Sequence, residues 1–234
     1  MKALVIGTIA ASLLVGSACS TNGPGGDDPT GNTTPIGDAP PLDHPPIDDE
    51  ALPVKPAAVR RLSLSQLRRI LPLAFGLEAD GTTPVTWHLE DGRQGLNAMA
   101  PTLGEPDYIE VTEENLEASP MYVKFMDDAA RDVCNRAIDA DIAKTNAAER
   151  VVMRHAGIDA DSDEAISKNL AYLVLRLHGV RLEAGDEDIA RWQGVYDGAL
   201  AEAKTAAEED ADAKVEAWNA VCVALTVAPE FHLY

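Results

Sequence analysis

Basic residues, aromatic residues and cysteines are all scarce in this sequence. Nineteen lysines and arginines stand against 39 aspartates and glutamates, aromatic residues make up 5% of the chain, and there are three cysteines. The net charge of −20 argues against nucleic acid as a ligand, because phosphate contacts require lysine and arginine. An anionic membrane surface would also repel the chain. Such acidity is typical of a solvated surface, and a basic partner or divalent cations are the alternative explanation.

Sequence motifs of common catalytic and metal sites are also missing. The histidines form no HxxxH or HExxH pair, so their spacing predicts no zinc site. The chain has no GxSxG nucleophile turn and no glycine-rich phosphate loop, and its cysteines form neither CxxC nor CxxCH. We therefore favour a non-enzymatic protein without a cofactor. The competing hypothesis is an enzyme or metal-binding protein with its site in the loop region 87–108.

The first 20 residues have the pattern of an export signal. Met1 and Lys2 give a short basic start, residues 3–15 are almost entirely apolar, and small residues lead into Cys19. This order predicts a cleavable signal peptide over residues 1–18. A cysteine directly after small residues resembles the lipobox of bacterial lipoproteins, although Gly16 stands where that family most often has leucine. The alternative is an ordinary signal peptide followed by a chance cysteine.

The lipobox resemblance implies where the protein resides. In that family the cysteine thiol is diacylated, the signal is cut before it, and the new amine is acylated. Each buried methylene contributes about 0.8 kcal/mol, so two or three acyl chains hold a protein firmly in a bilayer. Ser20 in place of aspartate favours the outer membrane, by analogy with enteric bacteria. We therefore expect an envelope lipoprotein whose Cys19 is anchored in the lipid bilayer of the outer membrane, on either its periplasmic or its surface face.

The chain after the signal divides into a linker and a folded domain. Residues 19–57 are rich in proline, glycine and aspartate and cannot bury enough apolar surface to offset the entropy of ordering. They predict a disordered tether that spans about 30–35 Å on average. Residues 58–234 are numerous enough for one acidic domain with a real core. None of these later segments contains an apolar run long enough to cross a bilayer.

The two remaining cysteines are candidates for a disulfide bond. With Cys19 lipidated, the mature domain contains only Cys134 and Cys222. Two cysteines in an oxidising compartment are more often paired than free. Both are predicted to lie on the buried faces of long helices, as a bond between helices requires. Free buried thiols are the alternative.

Helical hydrophobic periodicity dominates the domain and predicts an all-α fold. Its start signals include a capping box at Ser63 and the pair Ser119-Pro120, in which serine caps and proline begins a helix. Short connections favour antiparallel neighbours in a bundle of about five helices. The predicted helices cover about residues 63–71, 120–137, 163–177, 187–200 and 212–228. A loop-rich insertion is expected near residues 77–110, with a short strand near 85–89 and a short helix capped by Thr112 after it.

One acidic stretch resembles the beginning of a calcium-binding loop. Asp159, Asp161 and Asp163 occupy alternate positions, with Ile166 at the eighth position of the loop. The match then fails, because Glu164 replaces the turn glycine and the twelfth residue is not glutamate. Capping of the following helix explains the same residues. These three aspartates are therefore a candidate metal site, and capping of the following helix is the alternative role.

Two short stretches at the ends of the domain resemble a known kind of module. Residues 59–67 (VRRLSLSQL) resemble the "RRLT..EY" opening of helical modules in large exported proteins of planctomycetes and myxobacteria. Residues 224–234 (ALTVAPEFHLY) resemble their closing "LL.SP.FLY" segment. Those modules have no assigned activity and often accompany a c-type cytochrome module. The resemblance implies an accessory role beside an envelope protein, such as a redox partner. Because this chain lacks CxxCH, it cannot hold such a haem itself.

Together these patterns favour a membrane-anchored accessory lipoprotein that binds another protein of the envelope. Such a protein should display a contiguous apolar patch on the surface of its folded domain. The competing ligand-binding, calcium-binding or enzymatic function would instead require a concave pocket with convergent polar groups.

Overall fold

The computed structural model describes residues 59–159, 162–183, 185–206 and 209–234. These residues form an all-α domain without β-strands, which confirms the predicted fold class. The predicted signal peptide, Cys19 and the predicted linker lie outside the described residues. In the part of the chain that is described, no helix is both long enough and apolar enough to span a membrane.

Five long helices account for most of the domain, in agreement with the predicted number. Two four-residue helices and one 3₁₀ turn (Ala147–Glu149) complete the described helical structure. The helices are α1 (Leu64–Phe75), α2 (Gly95–Ala98), α3 (Pro120–Ala143), α4 (Asp163–His178), α5 (Glu187–Thr205), α6 (Asp210–Val227) and α7 (Pro229–His232).

The predicted caps begin α1 and α3. The Ser63 hydroxyl accepts a hydrogen bond from the Gln66 N–H at 3.2 Å, and the Gln66 side chain accepts one from the Ser63 N–H at 2.8 Å. This reciprocal pair satisfies two of the free N–H groups at the helix start. The Ser119 hydroxyl accepts from the Tyr122 N–H at 3.2 Å, and Pro120 is the first residue of α3. Local sequence therefore determines where both helices begin.

Helix α1 extends past residue 71, where the predicted helix ended. Pro72 lies inside the helix, which ends only at Phe75. The core explains this, because Leu71 before the proline and Ala74 and Phe75 in the turn after it are buried there. Burial of these side chains offsets the hydrogen bond that proline cannot donate.

The predicted strand at residues 85–89 is wrong. This region has only isolated backbone bridges, between Leu77 and Pro84 and between His88 and Gln94. The alternation of apolar residues there has a different origin, because Val85 and Trp87 insert into the core. A periodicity of two can therefore arise in a loop whose alternate side chains point inward.

The predicted helix after Thr112 is also wrong, since residues 111–119 are not helical. The Glu114 carboxylate accepts the Leu64 N–H at 2.9 Å, and the Leu116 carbonyl accepts the Arg61 N–H at 3.0 Å. Through these long-range hydrogen bonds the segment holds residues 61–64 in place. Tertiary contacts thus override the local capping signal.

Helices α3 and α6 form the centre of the bundle, where a disulfide joins Cys134 to Cys222. The S–S distance is 2.09 Å and the Cα atoms are 5.8 Å apart, in agreement with the predicted pairing. Both cysteines are fully buried. Helix α5 packs against α6, where the Tyr196 and Trp218 ring centroids are 4.6 Å apart.

A buried carboxylate anchors the loop between α3 and α4. Asp141 has no exposed surface, and its two oxygens accept hydrogen bonds from the N–H groups of Val151, Val152 and Met153 at 2.6–2.9 Å. Lys144 lies 3.3 Å away as its ion-pair partner. The carboxylate thus satisfies consecutive backbone donors that the loop would otherwise bury without acceptors.

Replacing Asp141 with asparagine should lower the free energy of unfolding by about 2 to 3 kcal/mol, because charged hydrogen bonds are lost and an amide hydrogen faces the loop donors. Equilibrium urea unfolding followed by circular dichroism would measure the change. Asp139→Asn is the matched control, since Asp139 is exposed on the same helix. An equal effect of the two substitutions would contradict the anchoring role of Asp141.

Candidate functional site

The structure tests the predicted calcium trio only in part. Asp161 lies outside the described residues, and Asp159 is exposed. Asp163 is the first residue of α4, and the hydroxyl of the preceding Ser162 accepts the Ala165 N–H at 3.2 Å. Among the described residues, no group of three or more histidine, cysteine, aspartate or glutamate side chains is arranged to hold a metal ion. The observed geometry of Ser162 and Asp163 is that of helix capping.

The loop region 87–108, which the competing hypothesis required as a site, packs around an indole. The cavity lined there by Trp87, Leu96 and Leu103 measures only about 10 Å³, whereas ligand pockets measure about 300–1,000 Å³. Gly95 explains the close approach, since a Cβ at that position would lie 2.3 Å from the Trp87 ring. The side chain of Trp87 therefore fills the hydrophobic core in this region and does not line a ligand pocket.

Three exposed apolar side chains lie close together in the loop between α2 and α3. Tyr108 is 75% exposed, Ile109 is 88% exposed and Val111 is 54% exposed. We call these three residues the apolar tip. Single exposed apolar residues are common on proteins, but this loop has three within four positions, and concentrated exposed apolar surface marks interaction sites.

The carboxylate of Asp107 shapes the apolar tip. One of its oxygens accepts hydrogen bonds from the N–H groups of Ile109, Glu110 and Val111 at 2.9, 2.9 and 3.0 Å. The Tyr108 N–H in turn donates to the Val111 carbonyl at 3.0 Å. The backbone hydrogen bonds, from Val111 first and then from Ile109 and Glu110, hold the pKa of Asp107 below its usual value. An ionised aspartate therefore closes the loop that carries the tip.

Tyr108 adopts a backbone conformation that is unusual for its residue type. Its φ of +60° is the only positive value at a non-glycine position among the described residues. The left-handed region costs an L-residue about 1–2 kcal/mol, and such strain clusters at functional sites. The loop thus holds an aromatic side chain in solvent at a position that glycine would occupy without strain.

Acidic residues surround the apolar tip on both sides. Residues 105–117 contain six aspartates and glutamates and no lysine or arginine. Three of these carboxylates are exposed: Glu110, between two residues of the apolar tip, and Glu113 and Glu117 after it. The apolar tip is therefore surrounded in the sequence by negatively charged side chains.

Residues 59–67 and 224–234, at the two ends of the domain, lie against each other in the fold. Arg60 and Tyr234 exchange backbone hydrogen bonds of 2.9 and 2.8 Å, and the Leu62 N–H donates to the His232 carbonyl at 2.9 Å. The guanidinium of Arg61, between them, is buried and forms a 2.9 Å ion pair with Glu114. We call this arrangement the terminal clasp. It fastens the two ends of the described domain, and its role is structural.

The terminal clasp contains a buried histidine, His232. The Nε2–H of His232 donates to the Val227 carbonyl at 3.1 Å. Its Nδ1 is buried without a hydrogen-bond partner in the described part of the chain. Burial lowers the pKa of His232, against smaller opposing effects of the Val227 carbonyl and Glu230. The folded protein therefore favours the neutral ring, while the unfolded chain takes up a proton near the ordinary pKa.

We expect stability to fall as the pH drops through about 6.5, because the unfolded state binds more protons there. His155, whose pKa is also lowered by burial, contributes in the same direction. Urea unfolding at pH 7.5, 6.5 and 5.5 would measure the dependence. A His232→Gln variant should lose less stability than the wild type over this range. An unchanged dependence in that variant would assign the effect to other groups.

Several of these residues were not identified from sequence. The deeply buried Arg61 and Asp141 resemble ordinary surface charges in a sequence this polar, and no motif marks the backbone groups and ion-pair partners that they bind. The apolar tip falls in the stretch where sequence periodicity was weakest. Its one sequence signal is a group of apolar residues inside an acidic loop.

No protein-family model, curated protein or solved structure matches this chain.

Proposed function

We propose that this protein is a membrane-anchored envelope lipoprotein that binds a partner protein through its apolar tip, as a non-enzymatic accessory. The observation that carries the proposal is the exposure of Tyr108, Ile109 and Val111 within one loop. Burying a side chain of this kind in a partner contributes roughly 1.5–3 kcal/mol. A few anchor residues supply most of the binding energy of protein interfaces, and tyrosine is among the residue types enriched in that role.

The charge around the apolar tip defines the partner's chemistry. Six carboxylates and no basic residue lie within residues 105–117. A complementary surface would have an apolar pocket with lysine or arginine at its rim. Anionic lipid is disfavoured by the same charge. The family resemblance makes a haem protein of the envelope the first partner to test.

The lipid anchor rests on the sequence of residues 1–20. Cys19 would carry the acyl chains, and residues 20–57 would span about 30–35 Å between the membrane and the domain. Cys19→Ser should abolish incorporation of radiolabelled palmitate and release the protein from washed membranes. Incorporation that continues in this variant would exclude Cys19 as the lipidation site.

Docking through the apolar tip should be lost when its apolar surface is removed. We expect Ile109→Ser and Tyr108→Gly each to weaken capture of the partner by about tenfold or more, since each removes an exposed anchor. Tyr108→Gly should leave the free energy of unfolding unchanged or raised, because glycine relieves the strain at φ +60°. The measurement is a quantitative pull-down of the tagged full chain from its own envelope in mild detergent, with unfolding measured in parallel.

The matched control is Leu73→Ser, which removes an apolar side chain that is 75% exposed on α1. It should capture the partner as the wild type does. Capture by the apolar-tip variants at wild-type level would refute docking through the tip. Binding of the wild type to phosphatidylcholine vesicles, lost in Ile109→Ser, would instead identify the tip as a membrane contact. Capture that does not weaken with salt would contradict the basic rim.

A further inference from the structure

A cleft of about 320 Å³ lies between α4, α5 and α7, apart from the apolar tip. Its volume falls in the lower range of small-molecule sites. Aliphatic side chains form much of its wall: Val174 from α4, Val180 and Leu182 from the connection to α5, and Val195 from α5. Such walls accept a hydrocarbon chain and exclude water from it.

Two aromatic rings form a fixed part of the same cleft. The imidazole of His178 and the indole of Trp192 meet edge to face, with their centroids 5.9 Å apart and their planes at 66°. The Nε2–H of His178 donates to the Leu225 carbonyl of α6 at 2.8 Å. This bond holds the imidazole against which the indole packs, and Trp192 is half-buried at the cleft. An indole face attracts cations through its quadrupole.

The charged groups of the cleft leave one carboxylate uncompensated. Arg191 forms an ion pair with Asp188 three residues earlier on α5, so the two charges offset each other. Glu230, exposed at the start of α7, lines the cleft and has no salt-bridge partner among the described residues. The C-terminus of α4 and the N-terminus of α5 both border the cleft, and their partial charges are opposite in sign. The cleft is therefore apolar with a net negative charge.

We propose that this cleft binds a small aliphatic organic cation. The hydrocarbon chain lies among Val174, Leu182 and Val195, and the ammonium group is held by the Trp192 indole and the Glu230 carboxylate. The overall charge of −20 raises the local concentration of such cations around the protein. This site is distinct from the apolar tip, so its existence does not depend on the docking function.

Three ligands of matched length and different charge test the proposal. The full chain is titrated with n-hexylammonium, n-hexanol and n-hexanoate by isothermal titration calorimetry and by tryptophan fluorescence. Trp87 and Trp218 are buried in the core, so a fluorescence change on binding reports Trp192. We expect hexylammonium to bind at least tenfold more tightly than hexanol, and hexanoate not to bind measurably. Equal binding of hexylammonium and hexanol, or tighter binding of hexanoate, would overturn the proposal.

Paired substitutions then locate the binding site. Glu230→Gln should weaken hexylammonium binding about three- to tenfold, whereas Glu187→Gln, which neutralises an exposed carboxylate of α5 outside the cleft lining, should change it less than twofold. Trp192→Leu should also weaken binding and abolish the fluorescence response. If Glu187→Gln and Glu230→Gln have equal effects, the ammonium responds to the overall charge and not to this cleft. Circular dichroism of each variant verifies that the fold is intact.

Discussion

Replacing Cys134 and Cys222 together with alanine should lower the free energy of unfolding by about 4 to 5 kcal/mol. The disulfide joins residues 88 positions apart, and in the chain-entropy model a closed loop of this length removes about 4 to 5 kcal/mol of unfolded-state entropy. Both side chains are fully buried between α3 and α6, so alanine also loses packed volume there. Equilibrium urea unfolding followed by circular dichroism measures the difference.

Reducing the disulfide of the wild type separates the effect of the crosslink on stability from the effect of the side-chain volume that alanine removes. Dithiothreitol opens the bond in the unfolded state and leaves both sulfur atoms in the chain. Reduced wild type should therefore be destabilised nearly as much as the double alanine variant. The slope of unfolding free energy against urea should also rise, because an unlinked chain exposes more surface on unfolding. A loss below about 1 kcal/mol would show that the unfolded chain is already compact without the bond.

The fold class could be predicted because helix starts depend on neighbouring residues. Ser63 and Ser119 cap helices with their own side chains, and these caps need nothing from the rest of the chain. The same holds for Gly179, which ends α4 with the left-handed conformation expected at a helix C-terminus. Hydrophobic periodicity then identified the helix faces that enter the core, among them those of Cys134 and Cys222.

Two of the wrong predictions concern segments whose partners lie far away in the sequence. Helix α1 continues past Pro72 because Leu71, Ala74 and Phe75 are buried in the core. The segment after Thr112 is not helical because Glu114 and Leu116 bond to residues 61–64, about 50 positions earlier. Nothing within either segment reports such contacts. Local sequence therefore predicts secondary structure well only where hydrogen bonds between neighbouring residues determine it.

The candidate sites were less predictable than the fold, because exposure is a property of the folded chain. Ile109 and Val111 belong to residue types that are usually buried, and only the structure shows that they project into solvent. The cleft behind Trp192 combines residues from three helices and a connection. The hypothesis of an apolar docking patch followed from the sequence, whereas its position did not.

Arg61 shows how one buried charge can organise the two ends of a domain. Its side chain is 2% exposed and donates to Glu114 at 2.9 Å and to the Leu103 carbonyl at 2.6 Å. The Asn115 carbonyl accepts a further bond, and the guanidinium lies 5.0 Å from the centroid of the Tyr122 ring. Burial raises the pKa of Tyr122, so that phenol stays neutral beside the ion pair. Every polar partner of Arg61 would be left buried or partly buried if the guanidinium were removed.

Arg61→Ala should therefore lower the free energy of unfolding by about 3 to 5 kcal/mol, the range for removing one member of a buried ion pair. Arg61→Lys should restore only part of this, since an ammonium cannot reproduce the planar set of donors. Arg60→Ala is the matched control, because the side chain of Arg60 is exposed. Its removal should lower the free energy of unfolding by less than about 0.5 kcal/mol. Urea unfolding compares the three variants. If Arg61→Ala proved as mild as the control, the Glu114 carboxylate would have to reach solvent on its own, and the terminal clasp would be held by backbone hydrogen bonds alone.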